Sequence, residues 1–338
     1  MTIIRQASHA GSWYEKRSTV LDSQMKNWLS KVFKSTPDQD VKIPITNSKA
    51  FIVPHAGYSY SGPAAAFSYQ SIDIEPIKRV FILGPSHHFY LPGCALTKCD
   101  EYETPLGNLI IDKDIINELS ETGKFDKLSI DADEDEHSIE MQLPYVYKVF
   151  ESKIDEVKIV PILVGGLDTD GERDYGKLLS KYLKDPANLF LISSDFCHWG
   201  SRFRYTFYSD KTPPSKSPSN VRNTDKFTIP IHQSIENLDR EGMEKIETLS
   251  LDQFATYLSK TKNTICGRHP IGVLLGMVED LYPGFERQSD QELEVEEGDI
   301  KDKAPYLKFI HYSQSSQVTD PSDSSVSYAA AYLYLPSN

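Results

Sequence analysis

The sequence contains little cysteine, since only Cys94, Cys99, Cys197 and Cys266 occur among its 338 residues. Their spacings form neither a CxxC pair nor a zinc-finger pattern. Four cysteines are also too few for a disulfide scaffold in a chain of this length, so free thiols in a reducing compartment are expected. We therefore predict a cytoplasmic protein, and a nuclear location is also compatible with the sequence.

Long apolar runs and a surplus of positive charge are lacking as well. No apolar run approaches the length of a membrane span. His9, Ser12 and Glu15 interrupt the start of the chain before a secretory apolar core could form. The 36 basic side chains are outnumbered by 49 acidic ones, which gives a net charge of −13. Because phosphates are bound by a concentrated basic face, the sequence predicts neither a nucleic-acid partner nor membrane insertion or docking.

Apolar segments of strand length alternate along the chain with segments of helical periodicity. The predicted strands are residues 49–54, 79–84, 157–165, 189–193, 307–312 and 327–335. The predicted helices are residues 18–33, 64–71, 113–122, 138–151, 175–184, 231–239, 251–260 and 271–281. This alternation indicates an α/β fold with a mixed, mainly parallel β-sheet covered by helices on both faces. We expect a single domain over residues 1–338.

Three local features qualify this outline. Pro161, inside the third predicted strand, indicates a bend or an edge position. Residues 209–225 are rich in Pro, Ser and Lys and are predicted to form a mobile surface insertion. Residues 286–302 carry eight acidic and two basic side chains, which favours a second, solvated acidic insertion, with a weak cation or partner site as the alternative.

Polar side chains follow three of the predicted strands directly. His55 comes after Pro54, His87 and His88 follow a Gly-Pro-Ser turn, and Asp195 and His198 follow two serines. Ligands of open α/β sheets bind just outside the carboxyl ends of the strands, and parallel strands bring those ends to one edge. The sequence therefore predicts a shared polar site that includes His55, His87, Asp195 and His198. His88 is excluded, because neighbouring side chains diverge.

Two further segments carry candidate site residues. Glu136, His137 and Glu140 lie at a predicted helix start, where acidic residues favour the helix dipole, so a site role for His137 and Glu140 competes with capping. Cys266 precedes Arg268 and a helix that begins with proline. A cysteine near a helix N-terminus and a basic residue has a lowered pKa, which favours a reactive thiolate over inert packing.

Together these segments resemble the motifs of the Memo family, which mediates receptor-driven cell motility. The resemblance spans nearly the whole chain, and the two insertions are the departures from it. The matching motifs are SHAGSWY at 8–14, PHAGY at 54–58, ILGPSHH at 82–88, DEDEHSIEMQLPY at 133–145, SSDFCHWG at 193–200, TICGRHPIGVLL at 264–275 and SSVSYAA at 324–330.

The resemblance implies a fold like that of class III extradiol (LigB-type) dioxygenases, with a pocket at the edge of the sheet. It implies an iron or copper ion bound by His55, His87 and Cys266, with Asp195 and His198 beside them. It also implies copper-dependent redox chemistry that generates superoxide. The partners that it implies are phosphotyrosine-containing or other signalling proteins, and the cellular role that it implies is in motility or invasive growth.

The ligand types leave the metal and the reaction open. Two imidazoles and a thiolate favour Cu(I) or Zn(II) and are compatible with Fe(II), whereas non-haem iron oxygenases use two histidines and a carboxylate. Asp195 in place of Cys266 would restore that oxygenase set. His198 is then a candidate base or orienting donor beside the metal, and His137 and Glu140 would support it.

Three functional hypotheses follow. The first is a redox-active metal protein with His55, His87 and Cys266 as ligands. The second is a module that binds phosphotyrosine or acidic peptides, with Arg268 or Arg202 as the partner of the anion. The third is an enzyme in the strict sense, either a metal-dependent oxidoreductase such as a ring-cleaving dioxygenase or a hydrolase in which a histidine activates the cysteine.

Overall fold

The computed structural model describes residues 2–32, 41–210, 219–220, 227–288 and 294–336. Two 3₁₀ turns occupy Glu151–Glu156 and Ser201–Phe203. Within the described ranges the helices are α1 (Ser18–Leu29), α2 (Tyr58–Gln70), α3 (Lys113–Glu121), α4 (Ile130–Asp135), α5 (His137–Glu140), α6 (Leu143–Val149), α7 (Thr169–Lys184), α8 (Ile231–Glu247), α9 (Leu251–Thr261) and α10 (Arg268–Leu281).

The strands of the same ranges vary from two to ten residues. They are β1 (Ile4–Arg5), β2 (Ser48–Val53), β3 (Arg79–Pro85), β4 (Cys94–Leu96), β5 (Glu101–Tyr102), β6 (Leu109–Ile111), β7 (Phe125–Lys127), β8 (Lys158–Val164), β9 (Asn188–Ser193), β10 (His198–Trp199), β11 (Phe207–Tyr208), β12 (Ser219–Asn220), β13 (Val295–Glu296), β14 (Asp299–Ile300), β15 (Tyr306–Gln314) and β16 (Ser325–Tyr334).

Twelve of these strands form one mixed sheet, whose main path runs β1-β5-β6-β8-β3-β9-β2-β16-β10. The inner strands β6, β8, β3, β9 and β2 are parallel to one another. Strand β16 runs antiparallel to β2 and to β15, as its alternating sequence predicts. Helices α7 and α10 pack against β9, and α2 packs against β2 and β16. The prediction of an α/β fold with a mainly parallel, helix-covered sheet is confirmed.

The middle residues of the inner strands are apolar because helices cover both faces of the sheet. Every residue of β2 and of β9 is buried, including the serines at their ends. A strand exposed on one face would alternate apolar and polar residues instead. No helix in the described ranges combines the length and apolar character needed to cross a bilayer.

The predicted helix over 138–151 is interrupted, which matters for the site. Helix α5 ends at Glu140 and α6 begins at Leu143. Pro144 lacks the N–H that would bond to the Glu140 carbonyl, which favours a break in the helix at this point. The turn between the two helices lets the Gln142 amide reach the Pro54 carbonyl at 3.1 Å.

Pro161 lies in an inner strand, so the prediction of an edge position is wrong. Strand β8 pairs along its whole length with β3, and Pro161 is opposite Ile82. On the other side of β8, the β6 pairing ends at Ile159 and the β4 pairing begins at Ile162. Pro161 therefore occupies a gap between two partner strands, where a missing N–H is tolerated.

The two predicted insertions differ in how much of them is described. Most of 209–225 lies outside the described residues, so its predicted mobility stays a prediction. The described part of 286–302 contains the β13–β14 hairpin, and Glu294 and Glu296 are exposed. In the same segment Arg287 and Asp302 form a buried ion pair at 2.8 Å. This segment is therefore partly packed against the protein rather than wholly solvated.

Candidate metal centre

The ends of three adjacent parallel strands bring the candidate ligands together. Strand β9 lies between β2 and β3, with Val53 opposite Ser193 and Leu83 opposite Ile192. The segments that follow these strands therefore leave the sheet at one edge. They carry His55, His87 and Asp195, which gives the convergence that the strand-end pattern predicts.

His55 is buried, and its ring has one defined orientation. Its Nδ1 lies 2.8 Å from the hydroxyl of Ser193, and that hydroxyl donates its only hydrogen to the Ser138 carbonyl at 2.7 Å. The hydroxyl must therefore accept a hydrogen bond from His55 Nδ1–H. It follows that Nε2 of His55 carries the free lone pair, and this atom faces the Cys266 sulfur at 3.1 Å.

His87 is oriented by a carboxylate in the same way. Glu136 accepts hydrogen bonds from the His87 backbone N–H at 2.7 Å and from Nδ1 at 2.9 Å. Burial raises the pKa of Glu136, but the hydrogen bond and charge of His87 outweigh it and hold this pKa at about 2. The carboxylate is thus ionised and Nδ1 donates to it, so Nε2 is the nitrogen that this ring can offer to a metal ion. Metal-binding histidines are commonly held by a carboxylate in this manner.

His137 joins the same cluster. Its ring stacks on His87 with centroids 4.4 Å apart and meets the His55 ring edge-on at 5.5 Å. The possible ligand atoms of these three histidines all lie within 4.8 Å of one another. Burial and the charge of His87 lower the pKa of His137 to about 3, so the ring is neutral near pH 7. The sequence identified His137 only as a supporting residue, whereas its position is that of a possible ligand.

A second group, which shares His55, places nitrogen, oxygen and sulfur together. Ligand atoms of His55, Asp195 and Cys266 also lie within 4.8 Å of one another. Asp195 Oδ1 accepts the His55 backbone N–H at 2.9 Å, and the Asp195 backbone N–H points at the Cys266 sulfur at 3.3 Å. Burial raises the pKa of the Asp195 carboxyl, while the neighbouring His198 opposes the rise.

The predicted thiolate character of Cys266 is wrong for the protein without a bound cation. Burial, and then the charge of Asp195, raise the pKa of the thiol well above its usual value. Backbone N–H groups and Arg268 oppose this shift without overcoming it. Arg268 lies two residues after Cys266 in the sequence, whereas Asp195 becomes a neighbour of Cys266 only when the chain folds. A bound metal ion would displace the thiol proton.

His198 lies beside this group, and one of its ring nitrogens is already hydrogen-bonded to the backbone. Its Nδ1 is 2.9 Å from the Phe196 carbonyl and 3.2 Å from the Thr264 carbonyl. Both partners are acceptors, so Nδ1 carries a hydrogen, and Nε2 is the ring nitrogen that these bonds leave available. The Thr264 hydroxyl also accepts the His198 backbone N–H at 2.7 Å, which ties β10 to the Cys266 segment. This geometry suits the predicted role of a base or orienting group.

Glu140 lies outside both groups and anchors the N-terminal segment instead. Its carboxylate accepts hydrogen bonds from Arg5 at 2.7 Å, Tyr14 at 2.7 Å and His9 at 2.8 Å. Burial raises the pKa of Glu140, but these partners outweigh it and hold the pKa at about 2. The anchored segment brings Trp13 onto the His137 ring, with centroids 4.3 Å apart. Glu140 thus supports the site indirectly.

The two candidate anion partners lie apart from the histidine cluster. Arg268 is exposed and lines a surface pocket of about 470 Å³ together with Asp168 and Glu172. Arg202 stacks on Phe203 with its guanidinium carbon 4.4 Å from the ring centroid. A role for Arg268 in binding phosphotyrosine therefore stays a prediction.

Sequence reasoning missed three residues that shape the cluster. Ser193 and Glu136 orient the histidines by hydrogen bonds that link distant parts of the chain. Trp13 belongs to the SHAGSWY motif, and that motif was the available signal. The excluded His88 is exposed, although its ring centroid lies 5.7 Å from that of His137 in an edge-on arrangement.

Comparison with known proteins places the chain in a family. A family model described as "Memo-like protein" matches residues 5–332. Protein MEMO1 from Xenopus laevis is 47% identical over 334 residues, covering 99% of this chain and 98% of that protein. Protein MEMO1 from Homo sapiens is 46% identical, covering 98% and 97%. Protein memo-1 homolog from Caenorhabditis elegans is 42% identical, covering 99% and 83%.

Among solved structures, the uncharacterized protein JW3007 from Escherichia coli K12 matches with a TM-score of 0.42 at 11% sequence identity. The match covers 83% of this chain and 99% of that one. The family assignment does not depend on this structural likeness. It follows from the family model, which matches nearly the whole sequence, and from full-length relatives that are more than 40% identical. The chain therefore belongs to the Memo-like family.

Proposed function

We propose that this protein binds a redox-active metal ion, iron or copper, through His55, His87 and Cys266, and that it supports motility or invasive-growth signalling. One observation carries the metal proposal. The Nδ1 atoms of His55 and His87 both donate to fixed partners, so Nε2 is the nitrogen that each ring can offer to a metal ion at one edge of the sheet. Orientation of imidazoles by outer partners is a usual feature of metal sites.

The third ligand decides the chemistry of the site. The structure groups Cys266 with His55 and Asp195, and His87 with His55 and His137, so His55 is common to both groups. An ion held by His55, His87 and the Cys266 sulfur, which lies 3.1 Å from His55 Nε2, would have a nitrogen–nitrogen–sulfur set that favours Cu(I) or Zn(II) and is compatible with Fe(II). His137 in its place gives three imidazoles, which suit iron, copper or zinc. A bound iron or copper ion would supply one-electron redox chemistry. The chain itself orients the ligands and leaves His198 Nε2 available beside them.

Metal analysis of protein purified without added metal tests the ligand set. We expect iron or copper in the wild type and loss of most of it in His55→Ala, His87→Ala and Cys266→Ala. His311→Ala serves as the matched control, because this histidine stacks on Phe67, away from the cluster. Full stoichiometric binding in all three ligand variants would overturn the assignment.

Spectroscopy separates Cys266 from His137 as the third ligand. Cu(II) or Co(II) bound to a thiolate shows a sulfur-to-metal charge-transfer absorption band. We expect this band in the metal-loaded wild type and in His137→Ala, and its disappearance in Cys266→Ser. A band that survives in Cys266→Ser, or that never forms in the wild type, excludes sulfur ligation.

Asp195 supports a second candidate, a ring-cleaving dioxygenase. The ligand atoms of Asp195 and His55 lie within 4.8 Å of each other. An iron ion could therefore take this carboxylate and two histidines, as in non-haem oxygenases. Anaerobic loading with Fe(II), followed by catechol and oxygen, would then give an absorbing ring-opened product that Asp195→Ala fails to form. Absence of product over a broad panel of catechols counts against this candidate.

A further inference from the structure

A second concave surface lies at the end of the parallel strands opposite to the metal centre. Lys49 is near the start of β2, Lys184 ends α7, and Leu335 follows the last residue of β16. These residues line a hollow of about 400 Å³ together with Asn47, Leu281 and Tyr282. An adjoining hollow of about 450 Å³ shares Asn47 and Tyr282 and adds Lys301 and Lys303. We call the two hollows together the lysine groove.

The positive charge of the lysine groove is uncompensated. Among the residues that the structure describes, none of its four lysines has a carboxylate within 4.0 Å. The acid that lines the groove, Asp302, is already paired with Arg287 at 2.8 Å. In a chain with a net charge of −13, these four lysines form a local basic surface that suits an anion.

Lys49 is the strongest single indication of a missing partner. Only 8% of this residue is exposed, and burial lowers the pKa of its amino group, although Asp185 and Asp73 oppose the shift from a distance. The ammonium of this largely buried residue has no carboxylate within 4.0 Å, and a bound anion would offset its charge. Lys184 alone could be explained by the dipole of α7, whose last residue it is, but this does not account for Lys49.

We propose that the lysine groove binds a small soluble molecule that carries two or more phosphate charges. Lysine binds phosphate as a point charge, and the spread of lysines over two adjoining hollows suits more than one negative group. Leu281, Tyr282 and Leu335 offer an apolar wall for the remainder of the ligand. Both hollows have volumes in the range of known small-molecule sites.

Titration calorimetry with pyrophosphate at low ionic strength tests this proposal. We expect measurable binding to the wild type, weakened at least about tenfold in Lys184→Glu, which corresponds to about 1.4 kcal/mol. Lys177→Glu is the matched control, because Lys177 is exposed on the same helix outside the groove. Equal unfolding temperatures of the two variants show that the fold is intact. Absence of wild-type binding, or equal affinities of the two variants, overturns the proposal.

Vesicles distinguish a soluble ligand from a lipid headgroup. We expect pyrophosphate and ADP to bind in solution. Vesicles that contain an inositol bisphosphate lipid should bind no more tightly than these soluble phosphates. Binding to such vesicles without any binding of the soluble phosphates would overturn the proposal of a soluble ligand.

Covalent labelling locates the site on the chain. Pyridoxal phosphate carries a phosphate and an aldehyde, and the aldehyde condenses with an unprotonated lysine amine with loss of water to form an imine that borohydride reduces. We expect peptide mapping to find Lys49 or Lys184 labelled ahead of Lys177, and excess pyrophosphate to suppress that label. Uniform labelling of surface lysines, or labelling that pyrophosphate does not affect, contradicts the proposal.

Discussion

The imidazole of His55 depends on a single hydroxyl for its orientation. Ser193 accepts from His55 Nδ1 and from the Gln142 amide at 2.9 Å, and it donates to the Ser138 carbonyl. Every hydrogen-bonding position of this hydroxyl is therefore filled, and the ring cannot exchange its tautomer without breaking a buried hydrogen bond. A fixed tautomer presents Nε2 to a metal ion without a cost in reorganisation.

Ser193→Ala is predicted to weaken metal binding by about tenfold to a hundredfold, as loss of an outer partner of a metal-binding histidine does. The affinity is measured by competition with a chelator of known strength. Ser68→Ala is the control, because the Ser68 hydroxyl is equally buried and bonds only the Ile52 carbonyl at 2.8 Å. Wild-type affinity in Ser193→Ala would show that the hydroxyl does not orient His55.

Single residues also mark the limit of what the sequence could reveal. The strand-end rule brings His55, His87 and Asp195 together, because it needs only strands that are parallel and adjacent. The roles of Ser193 and Glu136 could not be read in this way, since they depend on side-chain contacts between segments far apart in the chain. For the same reason the raised pKa of Cys266 was missed, because its causes are burial and a neighbour 71 residues away.

The N-terminal segment is held to the sheet by a buried guanidinium. Arg5, in the two-residue strand β1, pairs with Glu140 at 2.7 Å and with Asp133 at 3.1 Å, and all three side chains are almost completely inaccessible. A strand of two residues offers few backbone hydrogen bonds of its own. The ion pairs therefore provide the attachment that keeps Trp13 on His137.

Arg5→Met is predicted to lower the free energy of unfolding by about 3–5 kcal/mol, because it leaves buried carboxylates without their cation. Urea denaturation measures this loss, and the fluorescence of Trp13 reports whether the segment has detached. The double variant Arg5→Met with Glu140→Gln should lose less free energy of unfolding than the sum of the losses in the two single variants. The reason is that both single changes remove the same Arg5–Glu140 interaction. Strict additivity would show that the pair is not coupled.

Helices α7 and α10 approach each other through glycine. A Cβ atom on Gly176 would lie 2.5 Å from the backbone carbon of Gly276, which is far inside van der Waals contact. Alanine would favour the helix by up to about 1 kcal/mol over glycine. Relief of the overlap requires the two helices to move apart, and overpacking of this kind costs about 1–3 kcal/mol.

Gly176→Ala is therefore predicted to destabilise the protein, although it raises helix propensity. Thermal and urea unfolding measure the change. Gly171→Ala in the first turn of α7 is the control, because its closest contact would be a side-chain oxygen at 3.2 Å. A Gly176→Ala variant as stable as Gly171→Ala would mean that the helix pair can separate at little cost.

Element types were more predictable than element boundaries and breaks. Long apolar strands and amphipathic helices follow from periodicity, because burial of one face or of both faces governs their composition. The short strands β4 to β7 were missed, since two or three residues carry no period. Likewise, the break between α5 and α6 depends on Pro144 together with the contacts of Gln142 on the Pro54 carbonyl and Ser193.

Across the whole molecule, the sheet separates two kinds of site. The carboxyl ends of the parallel strands carry the histidine cluster, with Glu136 and Ser193 as the partners that orient it. The opposite ends carry the lysine groove. Helix α10 spans both, because Cys266 precedes its first residue and Leu281 ends it. Metal binding at one end of the sheet and anion binding at the other involve different residues, so the two can be tested separately in the same protein.

Global stability is predicted to fall as the pH drops from about 6.5 to about 4, partly through His311. This ring lies parallel to Phe67 of α2 at 4.1 Å, and burial lowers its pKa to about 4. An unfolded histidine takes up its proton near pH 6.5, so between these values the unfolded chain binds more protons than the folded one. The contribution of neutral His311 is therefore complete above pH 6.5 and is lost as the pH falls toward 4.

His311→Phe isolates this effect, because all other titrating groups stay the same in both proteins. The aromatic stack on Phe67 is retained, while the proton-binding site is removed. Between pH 7 and pH 4.5 we expect the wild type to lose about 2 kcal/mol more than the variant in its free energy of unfolding, measured by urea denaturation at each pH. Parallel stability curves would show that His311 is protonated as readily in the folded protein as in the unfolded chain.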